Sequence, residues 1–357
     1  MLRRILLVVM LLVATTAGAQ ESRRLYVAAP GLRNYVEWGG AGILVFDIDH
    51  DHRFVKRIEV PGHSDIDKPV NVKGVVANAT TQRLYFTTLQ RLWCLDLVTE
   101  KKLWDKELPG GCDRLALTPD GKTLYVPSLE GPHWHLVDAA TGDVVKTLVT
   151  NSGAHNTFAG RDGRFVYLAG LKSPSLRIVD VAKQEVTGEC GPFSAAIRPF
   201  TVDRAQSRVY ANVNERLGFE VGDLRTGKVL HAIDVPGYSK GPVKRHGCPC
   251  HGIGLTPDGA EVWLCDGFNQ SLHLFDNRVA PPKYITSIKL FDDPGWVTFS
   301  IDGRYAYPST LEVIDVASRK IVARLVDEQN RRVQSEKVLE IDFKDNKPTK
   351  AGDQFGQ

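Results

Sequence analysis

The chain has 357 residues, of which 43% are hydrophobic and 24% charged, and its mean hydropathy is −0.19. These values exclude a wholly disordered chain, and six cysteines over this length exclude a small disulfide-stapled scaffold. The formal net charge of +3 gives no electrostatic case for binding nucleic acid or an anionic membrane. The 32 glycines and 19 prolines favour many short strands joined by turns.

Residues 1–19 have the layout of a secretory signal peptide. Arg3 and Arg4 precede an apolar run over residues 5–13, and small residues follow up to Ala19. An uncleaved membrane anchor is the alternative, but the run is about half the ~20 residues that a spanning helix needs. No later apolar stretch is long enough to cross a bilayer. We therefore predict a periplasmic or secreted protein whose residues 20–357 form one domain.

A strand motif built around an aromatic residue recurs along the rest of the chain. The aromatic residues follow a turn and lie 59, 40, 42, 43, 53 and 44 residues apart. They are Tyr26, Tyr85, Tyr125, Tyr167, Tyr210, Trp263 and Tyr307. An apolar strand ending in aspartate follows most of them, and a turn such as Thr141-Gly142 leads to a further strand. Each unit of roughly 40 residues thus holds four short strands, which is typical of a propeller blade.

The two ends of the repeat predict how such a ring closes. The first unit starts at a second strand over residues 25–28, without a strand before it. Residues 338–343 look like a first strand, and the turn after them has no second strand behind it. Pairing these two strands would complete one blade and remove the open edges of the ring. The sequence therefore predicts an all-β, seven-bladed β-propeller of four-stranded blades, and a two-domain β-sandwich is the alternative.

Three short motifs carry a family resemblance. The sequences Arg24-Leu25-Tyr26-Val27, Pro119-Asp120-Gly121-Lys122 and Val137-Asp138-x-x-Thr141-Gly142-x-Val144-Val145 resemble the YVTN repeats of YncE-like β-propellers. The resemblance extends over nearly the whole chain after the signal segment, and it implies the propeller fold and a binding or scaffolding role. Because propellers host many functions on one scaffold, the function has to be argued from individual residues.

The repeat also predicts which side chains meet at the propeller axis, because the first strand of each blade lines the central channel. Counting back twelve residues from each aromatic gives Lys73, Asp113, His155, Arg198, His251 and Gly295, and the last unit adds Val338. Two residues earlier, side chains with the same orientation include Asn71, Asp293 and Glu336. Converging ionisable groups cost desolvation energy unless they are paired or used. We predict a polar pocket at one mouth, with a water-filled channel lined by ion pairs as the alternative.

The residue types at this level suggest two kinds of chemistry. The candidates for binding an anionic group such as a carboxylate or phosphate are Lys73, Arg198, Arg114, Asn71, Glu336 and His246. His155 and His251 are the candidate general base and acid, since imidazole titrates near neutral pH. Asp113 is expected to orient a histidine or to act as a second carboxylate beside Glu336.

Two insertions are further candidates for functional segments, because long loops on rigid scaffolds often carry function. They span residues 30–40 and 237–250. The second insertion contains Lys244, Arg245 and His246 and leads directly into His251, so it would reinforce anion binding. A solvated surface loop is the alternative for the second insertion.

The cysteines do not predict a cofactor. Cys248 and Cys250 have one residue between them, whereas a c-type haem site needs two and structural zinc pairs usually have two to four. A divalent metal held by His155, His251 and Asp113 is a weaker alternative. In an exported protein the six cysteines could form disulfides in fifteen pairings, among which the sequence does not choose.

Two functions follow from these residues. The first is a monomeric, exported propeller that binds a small or extended anion, or a protein partner, in its channel. The second is a lyase or lactone hydrolase on the same site, by analogy with the streptogramin-lyase-like and lactonase propellers. The motifs of serine hydrolases, kinases and dehydrogenases are absent from the sequence.

Overall fold

The computed structural model describes residues 21–242 and 247–355. The predicted signal peptide and His246 lie outside the described residues. Within the described part of the chain, no helix is both long and apolar enough to cross a membrane.

Antiparallel strands make up nearly all of the regular structure. The first three strands are β1 (Glu21–Ala29), β2 (Gly42–Asp47) and β3 (Arg53–Ile58), and a single 3₁₀ turn (Val36–Trp38) lies between β1 and β2. The next two blades are β4 (Gly74–Asn78), β5 (Arg83–Thr87), β6 (Arg91–Asp96) and β7 (Lys102–Glu107), then β8 (Ala116–Leu117), β9 (Thr123–Pro127), β10 (His133–Asp138) and β11 (Val144–Val149). Two more are β12 (Ala154–Ala159), β13 (Phe165–Gly170), β14 (Leu176–Asp180) and β15 (Glu185–Cys190), then β16 (Ile197–Val202), β17 (Arg208–Val213), β18 (Gly218–Asp223) and β19 (Lys228–Asp234).

The second half of the ring repeats the same order. Its two complete blades are β20 (Cys250–Leu255), β21 (Glu261–Asp266), β22 (Ser271–Asp276) and β23 (Lys283–Lys289), then β24 (Val297–Phe299), β25 (Tyr305–Pro308), β26 (Glu312–Asp315) and β27 (Lys320–Arg324). The last strands are β28 (Val338–Lys344) and β29 (Lys347–Ala351). The described residues thus form seven antiparallel sheets, and the chain is a seven-bladed β-propeller, as the repeat predicts.

The aspartate at the end of the third strand explains why each unit turns at the same point. In the blade formed by β8–β11, Asp138 accepts hydrogen bonds from the backbone N–H groups of Ala140 and Thr141 at 2.8 and 2.9 Å. Gly142 then takes a positive φ of 78°, which costs glycine little. The Asp138 carboxylate therefore accepts the hydrogen bonds that the N–H groups of the turn would otherwise donate to water, and this fixes the start of the fourth strand.

The ring closes as predicted, through antiparallel pairing of β1 with β28. Val27 lies opposite Val338, and Tyr26 lies opposite the buried Leu339. The expectation that no strand follows β28 is wrong, because β29 pairs with β28 on the side away from β1 and this blade has five strands. The physical reason is the two-residue turn at Asp345 and Asn346, which take the positive φ values that a tight hairpin requires.

The repeated aromatic residues are buried in hydrophobic clusters of the blades. Tyr85, Tyr125, Tyr167 and Trp263 are each at most 1% exposed. This packing holds the blades side by side, so that β4, β8, β12, β16, β20 and β24 contact one another in succession. The starts of these first strands therefore face a common axis at one mouth of the channel.

We expect Leu339→Ala to destabilise the protein by about 3 kcal/mol, because it leaves a cavity in the strand that closes the ring. Leu339 is fully buried. The matched control is Val145→Ala on an outer strand, where the side chain is 58% exposed and the change should stay within about 0.5 kcal/mol. Urea unfolding measures both values, and equal midpoints for the two variants would contradict a closing role for β28.

Candidate functional site

A polar pocket lies at the mouth where the chain enters the first strands. Its volume is about 160 Å³. Eight of the nine predicted site residues line it, namely Asn71, Lys73, Asp113, Arg114, His155, Arg198, His251 and Glu336. The ninth, His246, lies outside the described residues. The structure therefore brings the predicted residues together, while their roles remain predictions.

Asp113 is the buried centre of the pocket wall. Its backbone N–H donates to the Pro127 carbonyl at 2.9 Å, and its carbonyl accepts the Thr87 hydroxyl at 2.8 Å. Its side chain lies 2.6 Å from Nδ1 of His155 and 3.3 Å from Nζ of Lys73. Burial alone would raise the pKa of Asp113, but the charges of His155 and Lys73 outweigh it and lower the pKa to about 2.

The two histidines are both oriented through Nδ1. An ionised carboxylate can only accept, so Nδ1 of His155 donates to Asp113. Nδ1 of His251 donates to the Gly295 carbonyl at 2.9 Å. The ring centroids are 6.4 Å apart, and the ring planes are tilted by 56°. In each neutral ring, Nε2 is then the nitrogen that carries the lone pair and could accept a proton from a ligand.

Arg198 supplies the positive charge that the surrounding carboxylates do not match. Its Nε donates to the Asn214 amide oxygen at 2.6 Å, and its Nη2 donates to the Gly247 carbonyl at 3.3 Å. Both acceptors are neutral, and none of the ion pairs among the described residues involves Arg198. The guanidinium is thus oriented toward the pocket without being neutralised there.

Arg114, Glu336 and Lys337 form the floor of the pocket. Glu336 accepts from Nη2 of Arg114 at 3.3 Å and from Nζ of Lys337 at 2.7 Å. The Arg114 guanidinium also lies 3.5 Å from the centroid of the Trp296 ring, a cation–π arrangement. Burial lowers the pKa of Arg114 to about 10 and that of Lys337 to about 8, although Glu336 opposes both shifts.

Sequence reasoning missed Lys337. The prediction assumed strand alternation, which would point neighbouring residues to opposite faces. Glu336 and Lys337 both reach the pocket because they precede β28, where the alternation has not yet begun. The polar run just before that strand was the available signal.

The first insertion forms part of the rim. Leu32 and Arg33 line the pocket, and Asn34 accepts a hydrogen bond from the backbone N–H of Asn71 at 2.8 Å. Gly247 of the second insertion also lines the pocket. Residues 243–246 of that insertion, which include Lys244 and Arg245, are outside the described residues.

The cysteines are buried free thiols. Burial raises the pKa of Cys248 to about 12 and that of Cys250 well above its ordinary value, so both stay protonated near neutral pH. Across residues 21–242 and 247–355, no group of three or more histidine, cysteine, aspartate or glutamate side chains is placed to hold a metal ion. A metal on His155, His251 and Asp113 stays an untested alternative.

Comparisons with known proteins support the fold. No protein-family model matches the chain, and no curated protein shows significant similarity to it. Among solved structures, the chain is similar to one described as Kuenenia stuttgartiensis hydrazine synthase, with a TM-score of 0.61 and 12% sequence identity. The match covers 80% of this chain and 90% of the other. At this identity the likeness shows the propeller fold alone, and the YncE-like family remains a prediction.

We expect Asp113→Asn to destabilise the protein by about 3 kcal/mol at neutral pH, because it leaves buried cations beside an uncharged amide. The pKa of Asp113 is lowered from 3.8 to about 2 on folding, so its stabilising charge is present above pH 4 and lost as the pH falls toward 2. The difference between wild type and variant should therefore shrink over that window in urea unfolding. The control is Asp143→Asn, which breaks an exposed pair with Lys106 and should change stability little. If the free energies of unfolding of wild type and Asp113→Asn changed in parallel with pH, the lowered pKa assigned to Asp113 would be contradicted.

Proposed function

We propose that this protein binds a small anion, a carboxylate or a phosphate, in the channel pocket. The observation that supports this proposal most directly is Arg198, whose guanidinium lies in the wall of the pocket and whose described partners are neutral oxygens. Five cationic side chains line the pocket against three carboxylates, so the lining has a net charge of +2 with both histidines neutral. A planar guanidinium with several donors suits carboxylate and phosphate oxygens.

The size of the pocket limits the ligand. A cavity of about 150 Å³ holds a benzene-sized molecule. The volume of about 160 Å³ therefore suits a molecule with one or two anionic groups and a short carbon skeleton. The signal-peptide pattern and the resemblance to YncE-like propellers support an exported binding protein.

A second function, acid–base catalysis, is favoured by the contact between Asp113 and His155. A buried carboxylate that holds Nδ1 of an imidazole fixes its tautomer and raises its basicity, as general-base catalysis requires. In a lyase or lactone hydrolase, His155 would remove a proton from the substrate or from water. His251, if it enters the reaction as the imidazolium, would give its Nε2 proton to the leaving oxygen, and solvent would exchange the proton gained by His155 for the one lost by His251. Arg198 would hold the substrate carboxylate.

We expect Arg198→Ala to weaken binding of small anions by at least about tenfold, since it removes charge-assisted hydrogen bonds. Succinate, inorganic phosphate and small lactones are screened first by thermal shift, because a bound ligand stabilises the native state by mass action. Calorimetry then gives the Kd of each variant. The control is Arg225→Ala, which removes an exposed arginine on the outer surface. Equal affinities for both variants, or no ligand response in the wild type, would overturn the proposal.

The double variant His155→Ala, His251→Ala separates binding from catalysis. A binding protein that uses Arg198 and Lys73 should keep its affinity within a few fold. An enzyme should stay folded, keep substrate binding and lose turnover of small lactones or hydroxy acids by orders of magnitude. Retained turnover in the folded double variant would contradict the catalytic assignment.

A further inference from the structure

The last described residues turn back into the propeller channel. β29 pairs with β28, which is the first strand of its blade, and it also contacts β4, the first strand of the neighbouring blade. A cavity of about 450 Å³ at the mouth opposite the polar pocket is lined partly by residues 349–355. The chain therefore enters the channel from that opposite mouth. Beyond β29, Gln354 and Phe355 are 0% and 3% exposed.

Phe355 fills the channel with aromatic packing. Its ring centroid lies 4.9 Å from that of Phe158, 6.5 Å from that of Phe200 and 5.3 Å from that of Trp296. These partners come from three different blades. A side chain held by three blades at once closes the channel at this level, where apolar packing leaves little room for water.

Gln354 joins this closure to the floor of the polar pocket. Its amide Oε1 accepts from Nη1 of Arg114 at 3.1 Å, and its Nε2 donates to the Leu115 carbonyl at 3.0 Å. Its backbone carbonyl accepts from the Trp296 indole N–H and, at 2.9 Å, from the Thr298 hydroxyl. All of these groups are buried, so each hydrogen bond replaces one that water would otherwise supply.

Arg114 is consequently held from two directions. Glu336 binds it from the pocket side, and Gln354 binds it from the channel side, while the Trp296 ring covers its face. Three of the five guanidinium N–H donors make hydrogen bonds to described residues. The fork geometry fixes where the remaining donors point once those three are set.

We propose, resting on the anion-binding function above, that residues 347–355 are a built-in plug that closes the channel at one end. Gln354 is then a positioning residue for Arg114. The ligand then enters and leaves by one mouth. An extended polymer cannot thread the axis, so of the small and extended ligands left open by the sequence, the plug selects a short anion. Arg114, in the floor of the pocket, directs its remaining N–H donors toward that anion.

The test compares Gln354→Met with Thr298→Val. Gln354→Met keeps the side-chain volume and removes the amide that holds Arg114, whereas Thr298→Val removes a hydrogen bond to the same residue's backbone only. Both should lower the melting temperature, and Gln354→Met should lower it more, because it removes two buried side-chain hydrogen bonds and Thr298→Val removes one. Only Gln354→Met should raise the Kd for succinate or phosphate, by about fivefold, the effect of one hydrogen bond. Equal Kd values for both variants and wild type would reduce Gln354 to a structural role and overturn the positioning assignment.

The closure is tested without any ligand. Removing residues 353–357 should expose Trp296, which is 1% exposed in the intact chain, to quenching by acrylamide. The same truncation in a Trp296→Phe background should show no added quenching. If the wild type binds neither succinate nor phosphate, the anion-binding function fails and the role given to Arg114 falls with it. Unchanged quenching of Trp296 after truncation would independently overturn the plug.

Discussion

The pairing of β1 with β28 is the constraint on which the rest of this structure depends. Strands from distant parts of the sequence complete one blade, so the ring presents no open strand edge there. Closure also fixes how far the first strands stand from the axis, and with it the width of the channel. β28 is the first strand of that blade, and β29 pairs with its free edge on the side away from β1, which is the side of the channel.

The channel shows two solutions to the same packing problem. At the plug, Phe158, Phe200 and Phe355 fill the axis with apolar rings. At the neighbouring level, equivalent strands supply Asp113, His155 and other ionisable groups instead. Replacing a buried ion pair by apolar side chains is often neutral or stabilising. Since the fold tolerates aromatic filling close by, the charges in the pocket are not a requirement of the propeller, and the proposed ligand would account for them.

The fold and most of the residues that line the pocket could be predicted from the sequence, because equivalent positions of the repeats could be compared with one another. Once the period placed Lys73, Asp113 and His155 at equivalent positions, convergence on one axis followed from ring geometry alone. The pairings were readable only in part: contact with a histidine was one of two roles expected of Asp113, but which side chains it contacts depends on distances that no spacing encodes. Lys337 was missed because strand alternation does not yet hold where it lies. Residues 347–355 were missed because they have no counterpart in the repeat, and a comparison among units is blind to a segment that occurs once.

The carboxylates of the pocket bear on the choice between the two proposed functions. Asp113 and Glu336 would both lower the affinity of the pocket for the proposed anion, since like charges repel across a partly desolvated space. The charge of Glu336 is neutralised by its ion pairs with Arg114 and Lys337 in the floor, so it would repel a ligand only weakly. Asp113 is different, because it reduces the attraction of Lys73 for a ligand while fixing Nδ1 of His155. A site that only bound anions would gain by losing Asp113, whereas a site that moves a proton through His155 needs it.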